Sequence, residues 1–328
     1  MLTGGFFLPV AEVYRDHTNI PSTPISSSAP SPLYLVGPTG SGKSALAVAL
    51  AEEINGEIVN ADAYQLYRGL DICTAKPSAE SQARVPHHLY DVLSLSELGD
   101  AAFYAELALP VIADIASRGR VPIIVGGSGL YVKALTHGLT ALPSDQGLRE
   151  QLGELTPGER VVWLKQRDPE AEETVNLKND RYVTRALEIC LLMDQPQSAL
   201  RKEWSKQQPD FSGICLVWER PALNARIHQR VLDMVDAGLV DEIRSLGALS
   251  DTAEKAIGVR EICRYLTDEC SLEQAISDIQ VATRQYAKRQ GKWFKREKGF
   301  QRLQVHEGMT MEEMMAEAMA LYRTARVS

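Results

Sequence analysis

The sequence lacks the cysteine patterns that mark disulfide frameworks and zinc sites. Its 328 residues contain five cysteines, an odd number, and no two of them are spaced as C-x-x-C. A disulfide-stabilised secreted domain carries an even and denser set, and a structural zinc site carries paired ligands. We therefore expect a cytoplasmic protein with reduced thiols and no structural zinc.

Long hydrophobic runs and an excess of positive charge are also missing. No apolar run approaches the roughly 18 residues that a membrane-spanning helix needs. The first ten residues carry an apolar patch without a preceding basic residue, unlike a signal peptide. The net charge is −8, so we expect neither a membrane nor DNA as a partner. Any contact with RNA must come from a local basic patch.

The apolar segments that are present predict an α/β fold. Strands are expected at four places and helices between them, which favours a mostly parallel sheet covered on both faces. The predicted strands are Leu33–Val36, Glu57–Asn60, Val121–Val125 and Gly213–Trp218, and the predicted helices include Ser44–Ile54 and Ala101–Ser117.

Changes in composition suggest where the domains begin and end. Nine of the twelve residues from Pro21 to Pro32 are Ser or Pro, so residues 1–32 are predicted to be a disordered tail. Residues 33–142 form the first part of the α/β core. Residues 143–208 are polar and helix-rich, which predicts an inserted helical subdomain. Residues 209–300 complete the core and end in an amphipathic helix from Leu272 to about Lys298, and residues 301–328 are interpreted as an extension that carries little information.

One glycine-rich segment matches the phosphate-binding P-loop, G-x-x-x-x-G-K-[ST]. Its glycines let backbone N–H groups turn towards phosphate oxygens, the following helix adds its positive end, and the lysine neutralises charge. The terminal serine can ligate Mg²⁺. The predicted strand and helix on either side support a di- or triphosphate site. Its residues are Gly37, Pro38, Thr39, Gly40, Ser41, Gly42, Lys43 and Ser44.

Two further polar positions follow predicted strands. Asp62 stands just past the second strand, and Ser128 lies in the glycine turn Gly126–Gly129. The carboxyl ends of parallel strands share one crevice, so both side chains are expected near the P-loop. Asp62 could hold Mg²⁺ or accept a proton, although a capping role is equally compatible with the local sequence. The glycine turn by itself is as compatible with a purely structural turn.

Basic residues are concentrated near the end of the predicted core. Residues 281–300 carry seven basic residues against one acid, a local charge of +6, which leaves −14 for the rest of the chain. This contrast favours a polyanion over a solvated helix, and the interleaved Trp293 and Phe294 suit stacking on bases. Arg181 and Arg185 could form a second polyanion contact or an ion pair with Glu188. The basic residues of the first segment are Arg284, Lys288, Arg289, Lys292, Lys295, Arg296 and Lys298.

Several ordered motifs together resemble the tRNA dimethylallyltransferase family, also called isopentenyl-diphosphate:tRNA transferases, from about Leu33 to Phe300. Besides the P-loop, the matching segments are Asp62–Tyr67, Asp71–Pro77, Pro86–Leu89, Gly126–Tyr131, Arg185–Glu188, Ala256–Glu261 and Thr283–Gln290. The resemblance implies a bacterial-type enzyme with a P-loop core and a helical insertion that grips the anticodon stem. It implies transfer of a dimethylallyl group from dimethylallyl diphosphate to the exocyclic amine of the adenosine 3′ to the anticodon.

The resemblance also implies roles for individual residues. Asp62 would be the general base and Ser128 would assist at the reacting centre. Lys43 and Arg230 would hold the diphosphate, and Ser44 would carry Mg²⁺. We expect the enzyme to act as a monomer. The implied tRNA contacts are Asp62, Ala63, Tyr64, Gln65, Ser128, Arg149, Arg181, Tyr182, Arg185, Lys255, Arg260, Arg284, Lys288, Arg289, Lys292 and Lys295.

Three positions depart from the family pattern. Ala63 stands where the family usually has Ser, which removes one possible hydroxyl contact to RNA. Cys73 replaces a usual Gly and puts the local turn in doubt. Ser128 replaces the commoner Thr and keeps the hydroxyl.

Three other functions compete with tRNA prenylation. The P-loop alone would suggest an ATP-dependent kinase or ATPase. A relative that prenylates free AMP or ADP would need neither the long insertion nor the basic helix. A non-catalytic RNA-binding protein would leave the P-loop and Asp62 unexplained.

Overall fold

A computed structural model describes residues 29–138, 145–206 and 211–325, with the side chains of residues 203–206 excepted. The described residues fall into two compact units: residues 145–206 form one, and residues 29–138 with 211–325 form the other. The predicted tail lies outside the described residues up to position 28. Within the described part, no helix has both the length and the apolar character that a membrane crossing requires.

One six-stranded parallel sheet organises the larger unit, in the order β3-β2-β4-β1-β5-β6. The predicted α/β class is confirmed. Residues of β1, β2 and β4 are buried on both faces of the sheet, which explains why β1 and β4 are continuous apolar runs. The strands are β1 (Leu33–Val36), β2 (Gly56–Asn60), β3 (His87–His88), β4 (Val121–Gly126), β5 (Ser212–Trp218) and β6 (Phe300–Val305).

Fifteen α-helices connect and cover these elements in the described residues, and a short 3-10 helix spans Ala253–Lys255. Helix α4 begins where predicted, because the Asp100 side chain accepts hydrogen bonds from the N–H groups of Ala102 and Phe103. The helices are α1 (Lys43–Glu53), α2 (Asp71–Thr74), α3 (Ala79–Arg84), α4 (Ala101–Ser117), α5 (Gly129–His137), α6 (Gln146–Gly153), α7 (Pro157–Arg167), α8 (Ala171–Thr174), α9 (Asp180–Met193), α10 (Gln197–Lys206), α11 (Arg220–Asp236), α12 (Leu239–Arg244), α13 (Val259–Leu266), α14 (Leu272–Phe294) and α15 (Met311–Ala325).

The smaller unit is helical throughout residues 145–206. Its core packs Leu152, Leu164, Val183 and Leu187 from α6, α7 and α9. Helix α7 begins at a capping box, in which Thr156 and Glu159 satisfy each other's backbone N–H groups. The unit therefore has its own apolar centre, as an inserted subdomain requires.

The C-terminal residues correct the sequence interpretation. Strand β6 pairs with β5 from Gly213↔Phe300 to Trp218↔Val305, and Leu303 and Val305 share a core with Met314, Ala318 and Tyr322 of α15. The interpretation of residues 301–328 as an uninformative extension was wrong. The segment Phe-Gln-Arg-Leu-Gln-Val after Gly299 forms this strand and is buried at its first, fourth and sixth positions, a pattern that departs from strict alternation. Helix α14 also ends at Phe294 rather than near Lys298.

Candidate active site

The P-loop joins β1 to α1 as predicted. Gly40 and Gly42 have φ angles of 79° and 88°, a left-handed conformation that favours glycine. The Lys43 Nζ donates a hydrogen bond to the carbonyl of Pro38 at 2.8 Å. Trp218 holds the loop from outside, because its indole N–H donates to the Ser41 carbonyl at 3.0 Å. The loop is thus preformed around the lysine.

Two arginines of α11 lie against this loop. Arg226 donates to the Gly40 carbonyl at 3.0 Å, and its guanidinium stacks 4.7 Å from the centre of the Trp218 ring. We name as the phosphate cleft the space lined by Gly40–Ala45, Ala75, Arg226, Gln229, Arg230 and Asp233. Three cationic side chains and the N-terminus of α1 therefore converge on one cleft, which suits a diphosphate.

Asp62 lies directly after β2, at the carboxyl edge of the sheet. Its backbone is fixed by the fully buried Asn60, whose side chain accepts from the Asp62 N–H at 2.8 Å and donates to the Leu89 carbonyl at 2.9 Å. The carboxylate accepts the Tyr64 N–H at 3.0 Å. The carboxyl group therefore has a defined direction and retains a free oxygen lone pair for a substrate.

A second cavity adjoins the phosphate cleft. This apolar cavity is lined by Asp62 and Arg230 together with Ile227, Val231, Met234 and Ile279, among others. Arg230 lines both spaces. The charged groups thus stand where a phosphate site meets an apolar one.

The charges of this region perturb one another. Burial lowers the pKa of Lys43 to about 8, against the raising influence of Asp62. Burial also raises the pKa of the Asp62 carboxyl, although the Tyr64 N–H and the nearby Lys43 and Arg230 oppose the rise. Burial likewise lowers the pKa of Arg230. Such shifts, caused chiefly by the burial of a base and two cations in one cleft, are typical of a catalytic site.

The glycine turn after β4 brings Ser128 to Asp62. Gly126 lies so close to Ala61 that an added Cβ would be 2.1 Å from the Ala61 carbonyl oxygen. The Ser128 hydroxyl accepts the Ala63 N–H at 3.0 Å and faces the hydroxyl of Tyr286 on α14. A side chain larger than glycine would separate the two strand ends, which gives this turn a structural reason for its composition.

The two departures at Ala63 and Cys73 are accommodated locally. The Ala63 contact to Ser128 uses only its backbone N–H. Cys73 lies within helix α2 and not in a turn that needs glycine. Its thiol donates to the Ile257 carbonyl at 3.1 Å, and its N–H donates to the Glu242 carboxylate at 2.8 Å. The doubt about this turn is therefore resolved.

Six of the twelve predicted tRNA contacts of the larger unit are exposed basic side chains. On α14, Lys288, Arg289 and Lys292 are exposed, and Lys295 follows the helix end. Arg284 contacts His228 of α11. Lys255 and Arg260 are also exposed, and Arg260 pairs with Glu254 at 3.1 Å.

Two predicted contacts next to the sheet, Tyr64 and Gln65, face inward. The Gln65 amide donates to the carbonyls of Thr74 and Ala75 at 3.0 and 3.1 Å, and Tyr64 lines the apolar cavity. The stacking interpretation is wrong for Phe294, which is 2% exposed. Trp293 is half-buried, and its ring lies against Gly129. The pattern of α14 points these rings to the core because positions 287, 290 and 294 share its buried face.

Two arginines of the helical unit converge on one buried carboxylate. Arg149 and Arg185 bond to Glu188 at 3.0 and 2.6 Å, and the Glu188 side chain is fully buried. The predicted ion pair of Arg185 with Glu188 is confirmed, but the acid is not on the surface. Arg181 and Tyr182 are exposed. Two cations held by one anion leave a net positive charge in a fixed place.

No cluster of three or more His, Cys, Asp or Glu able to hold a metal ion occurs in residues 29–138, 145–206 and 211–325. Ser44, the predicted Mg²⁺ ligand, is exposed on the phosphate cleft, and the carboxylate of Asp233 lines the same cleft. Hydroxyl and carboxylate oxygens suit Mg²⁺, which otherwise takes water and phosphate oxygens as ligands. The donor set therefore fits that ion when a diphosphate supplies further oxygens.

Several residues of the site escaped sequence reasoning. Asn60 orients Asp62, Trp218 supports the P-loop, and Asp233 adds a carboxylate to the phosphate cleft. Gln290 reaches the P-loop from α14. Only Asn60 has a local signal, since it precedes Asp62 by two residues. Trp218 and Gln290 contact the P-loop across 177 and 251 positions of sequence, and Asp233 lines the cleft from α11.

Comparison with known proteins agrees with this geometry. The model of the IPP transferase family matches residues 65–297. A tRNA dimethylallyltransferase of Geobacter metallireducens is 44% identical over 272 residues, which cover 80% of this chain and 88% of that protein. The tRNA dimethylallyltransferase 1 of Citrifermentans bemidjiense is 46% identical over 274 residues, covering 81% and 89% of the two chains.

Solved structures give the same result. A tRNA isopentenylpyrophosphate transferase of Bacillus halodurans superposes with a TM-score of 0.67 at 34% identity, covering 90% of this chain and 98% of that one. A eukaryotic dimethylallyltransferase solved while acting on tRNA superposes with a TM-score of 0.78 at 26% identity, covering 91% and 80%.

Proposed function

The chain belongs to the IPP transferase family, and we propose that the phosphate cleft and the apolar cavity together form its prenyl-transfer site. The reaction moves a dimethylallyl group from dimethylallyl diphosphate to the exocyclic amine of the adenosine 3′ to the anticodon in tRNA, and diphosphate leaves. One observation carries the assignment: Asp62, Lys43 and Arg230 converge where an anion site meets an apolar one.

The diphosphate binds in the phosphate cleft. The P-loop amides, Lys43 and Arg230 neutralise its oxygens, and the Lys43 ammonium exchanges its bond to the Pro38 carbonyl for a phosphate oxygen. Ser44 would hold Mg²⁺, which when bound would further neutralise the charge of the leaving group. The dimethylallyl group occupies the apolar cavity beside Ile227 and Val231, where water is excluded.

Asp62 acts on the nucleophile. The lone pair of the adenine amine is delocalised into the ring, so the amine attacks poorly unless a base accepts its proton. The amine nitrogen attacks the first allyl carbon as its C–O bond breaks, the proton passes to Asp62, and the electron pair leaves with the diphosphate. The raised pKa of Asp62 makes it a stronger base than a surface aspartate, and Ser128 holds the adjoining backbone at Ala63.

Contact with tRNA comes from both units. A stacked base cannot reach Asp62, so the adenosine leaves its stack at a cost of a few kcal/mol. The exposed Lys288, Arg289 and Lys292 offset this cost through phosphate contacts. In the helical unit, Arg149, Arg181 and Arg185 contribute in the same way.

The test is one incubation of the purified protein with unmodified tRNA, labelled dimethylallyl diphosphate and Mg²⁺, in the absence of ATP. Label should appear in tRNA and not in added AMP or ADP. Transfer that required ATP would favour the kinase, label in free nucleotide would favour the nucleotide prenyltransferase, and binding of tRNA without transfer would favour a non-catalytic RNA-binding protein.

A further inference from the structure

One buried glutamine of α14 joins the two turns of the active site. The Gln290 side-chain oxygen accepts the Thr39 N–H of the P-loop at 2.8 Å. Its side-chain nitrogen donates to the Gly127 carbonyl at 3.0 Å. The residue is 5% exposed, so both bonds are shielded from water and neither is readily replaced by solvent.

The two bonded groups belong to opposite halves of the reaction. Thr39 follows Pro38, whose carbonyl accepts from Lys43, so the bond from the Thr39 N–H to Gln290 anchors the backbone of the loop that forms the diphosphate site. Gly127 precedes Ser128, whose hydroxyl bonds to the backbone beside Asp62. A single amide group therefore fixes the distance between the leaving-group site and the site of the nucleophile.

The glycine at position 127 leaves room for this bridge. A Cβ there would lie 2.1 Å from the Gln290 nitrogen and 3.2 Å from the Gly37 carbonyl oxygen. Two further residues of α14, one on each side of Gln290 in the helix, also contact this turn. Tyr286 faces Ser128, and the Trp293 ring lies against Gly129. Positions 286, 290 and 293 of α14, each about one helical turn from the next, therefore all contact the glycine turn.

Another face of the same helix is exposed and basic, with Lys288, Arg289 and Lys292. We propose that Gln290 is a positioning residue, an inference that rests on the proposed function. It holds the P-loop and the Ser128 turn at a fixed distance, so that RNA bound by α14 places the acceptor beside the donor. Gln290 touches neither substrate. Its effect falls on the rate of transfer and not on the binding of either substrate.

The experiment measures single-turnover transfer at saturating tRNA and dimethylallyl diphosphate, together with the Kd of each substrate. Gln290→Met keeps the length of the side chain and removes both hydrogen bonds. We expect its rate to fall on the order of 10²-fold, the effect of misplacing reacting groups by about 1 Å, while both Kd values stay within about threefold. Gln285→Met, at an exposed position of the same helix, is the matched control and should keep the wild-type rate.

A second variant separates positioning from folding. In Gln290→Glu the carboxylate still accepts the Thr39 N–H but has no hydrogen for the Gly127 carbonyl. Protonation restores that donor, so the ratio of the variant rate to the wild-type rate should rise as the pH falls from 8 towards 5.5. Taking the ratio cancels the titration of Asp62, which both proteins share.

Either of two results would overturn the inference: a wild-type rate for Gln290→Met, or a loss of rate matched by weaker substrate binding. If Gln290→Met does not fold, the pH dependence of the ratio of the Gln290→Glu rate to the wild-type rate decides. A ratio that does not change with pH overturns the inference. Absence of transfer by the wild-type protein would instead reject the proposed function itself.

Discussion

Replacing Lys43 by methionine should stabilise the free protein while abolishing its affinity for diphosphate. Burial lowers the pKa of Lys43 from its usual 10.5 to about 8. Each tenfold change in proton affinity corresponds to about 1.4 kcal/mol, so the charged amine costs the folded state about 3 kcal/mol at neutral pH. Losing the hydrogen bond to Pro38 offsets about 1 kcal/mol of that gain. A net stabilisation of about 2 kcal/mol remains.

The sign of the pH dependence follows from the same shift. Below about pH 8 the amine is protonated in both the folded and the unfolded chain, and the full cost applies. Between about pH 8 and 10.5 the unfolded chain binds the proton that the folded chain has lost, so the wild-type protein gains stability as the pH rises. The variant should lack this gain.

The assay is thermal unfolding with and without diphosphate at pH 7. Lys43→Met should raise the Tm by a few degrees, since 1 kcal/mol shifts the Tm by roughly 2–4 °C in proteins of 150–250 residues. Diphosphate should raise the Tm of the wild-type protein only. Lys178→Met, at an exposed position, should leave the Tm nearly unchanged. A Tm below that of the wild type for ligand-free Lys43→Met would refute the reasoning.

Three other substitutions test separate parts of the molecule. Asp62→Asn should slow single-turnover transfer by roughly 10²–10⁴-fold. The wild-type rate should rise as the pH increases through the raised pKa of Asp62, because the base acts deprotonated, and a variant with the wild-type rate would exclude this base. Glu57→Gln should lower the free energy of unfolding, measured in urea, by roughly 3–5 kcal/mol. Glu57 is buried against Arg118 and Arg120, which hold its pKa at about 2. The stability that these ion pairs give the wild-type protein should be lost as the pH falls from about 4.5 to 2. Leu303→Ala should cost roughly 2–5 kcal/mol, since Leu303 is 1% exposed; an unchanged midpoint would show that β6 is dispensable.

Short sequence motifs predicted which residues carry the chemistry of this site, but they did not predict the distant residues that hold those motifs in place. The P-loop and the residues after β2 and β4 are each contiguous in sequence, and the sheet brings them to one edge as its topology requires. Gln290 and Arg226 reach the P-loop from positions 251 and 186 residues away, and no periodicity encodes such a partner. The rings at 293 and 294 lie in a basic segment, but the helical phase of α14 turns Phe294 into the core, which the local charge does not indicate. Strand β6 lacks a clear signal because polar residues separate its apolar positions, the first, fourth and sixth, whereas β1 and β4 are continuous apolar runs.

The position of β1 within the sheet has a consequence for biosynthesis. Strand β1 pairs with β4 on one side and with β5 on the other, yet β5 begins at Ser212, after the helical unit has been made. At about 5–20 residues per second, the ribosome needs on the order of 10–40 s between the end of β1 and the start of β5. During that interval the strand that carries the P-loop presents an unpaired apolar edge, a template for pairing with other chains. A nascent chain stalled inside the insertion should therefore be a preferred client of chaperones.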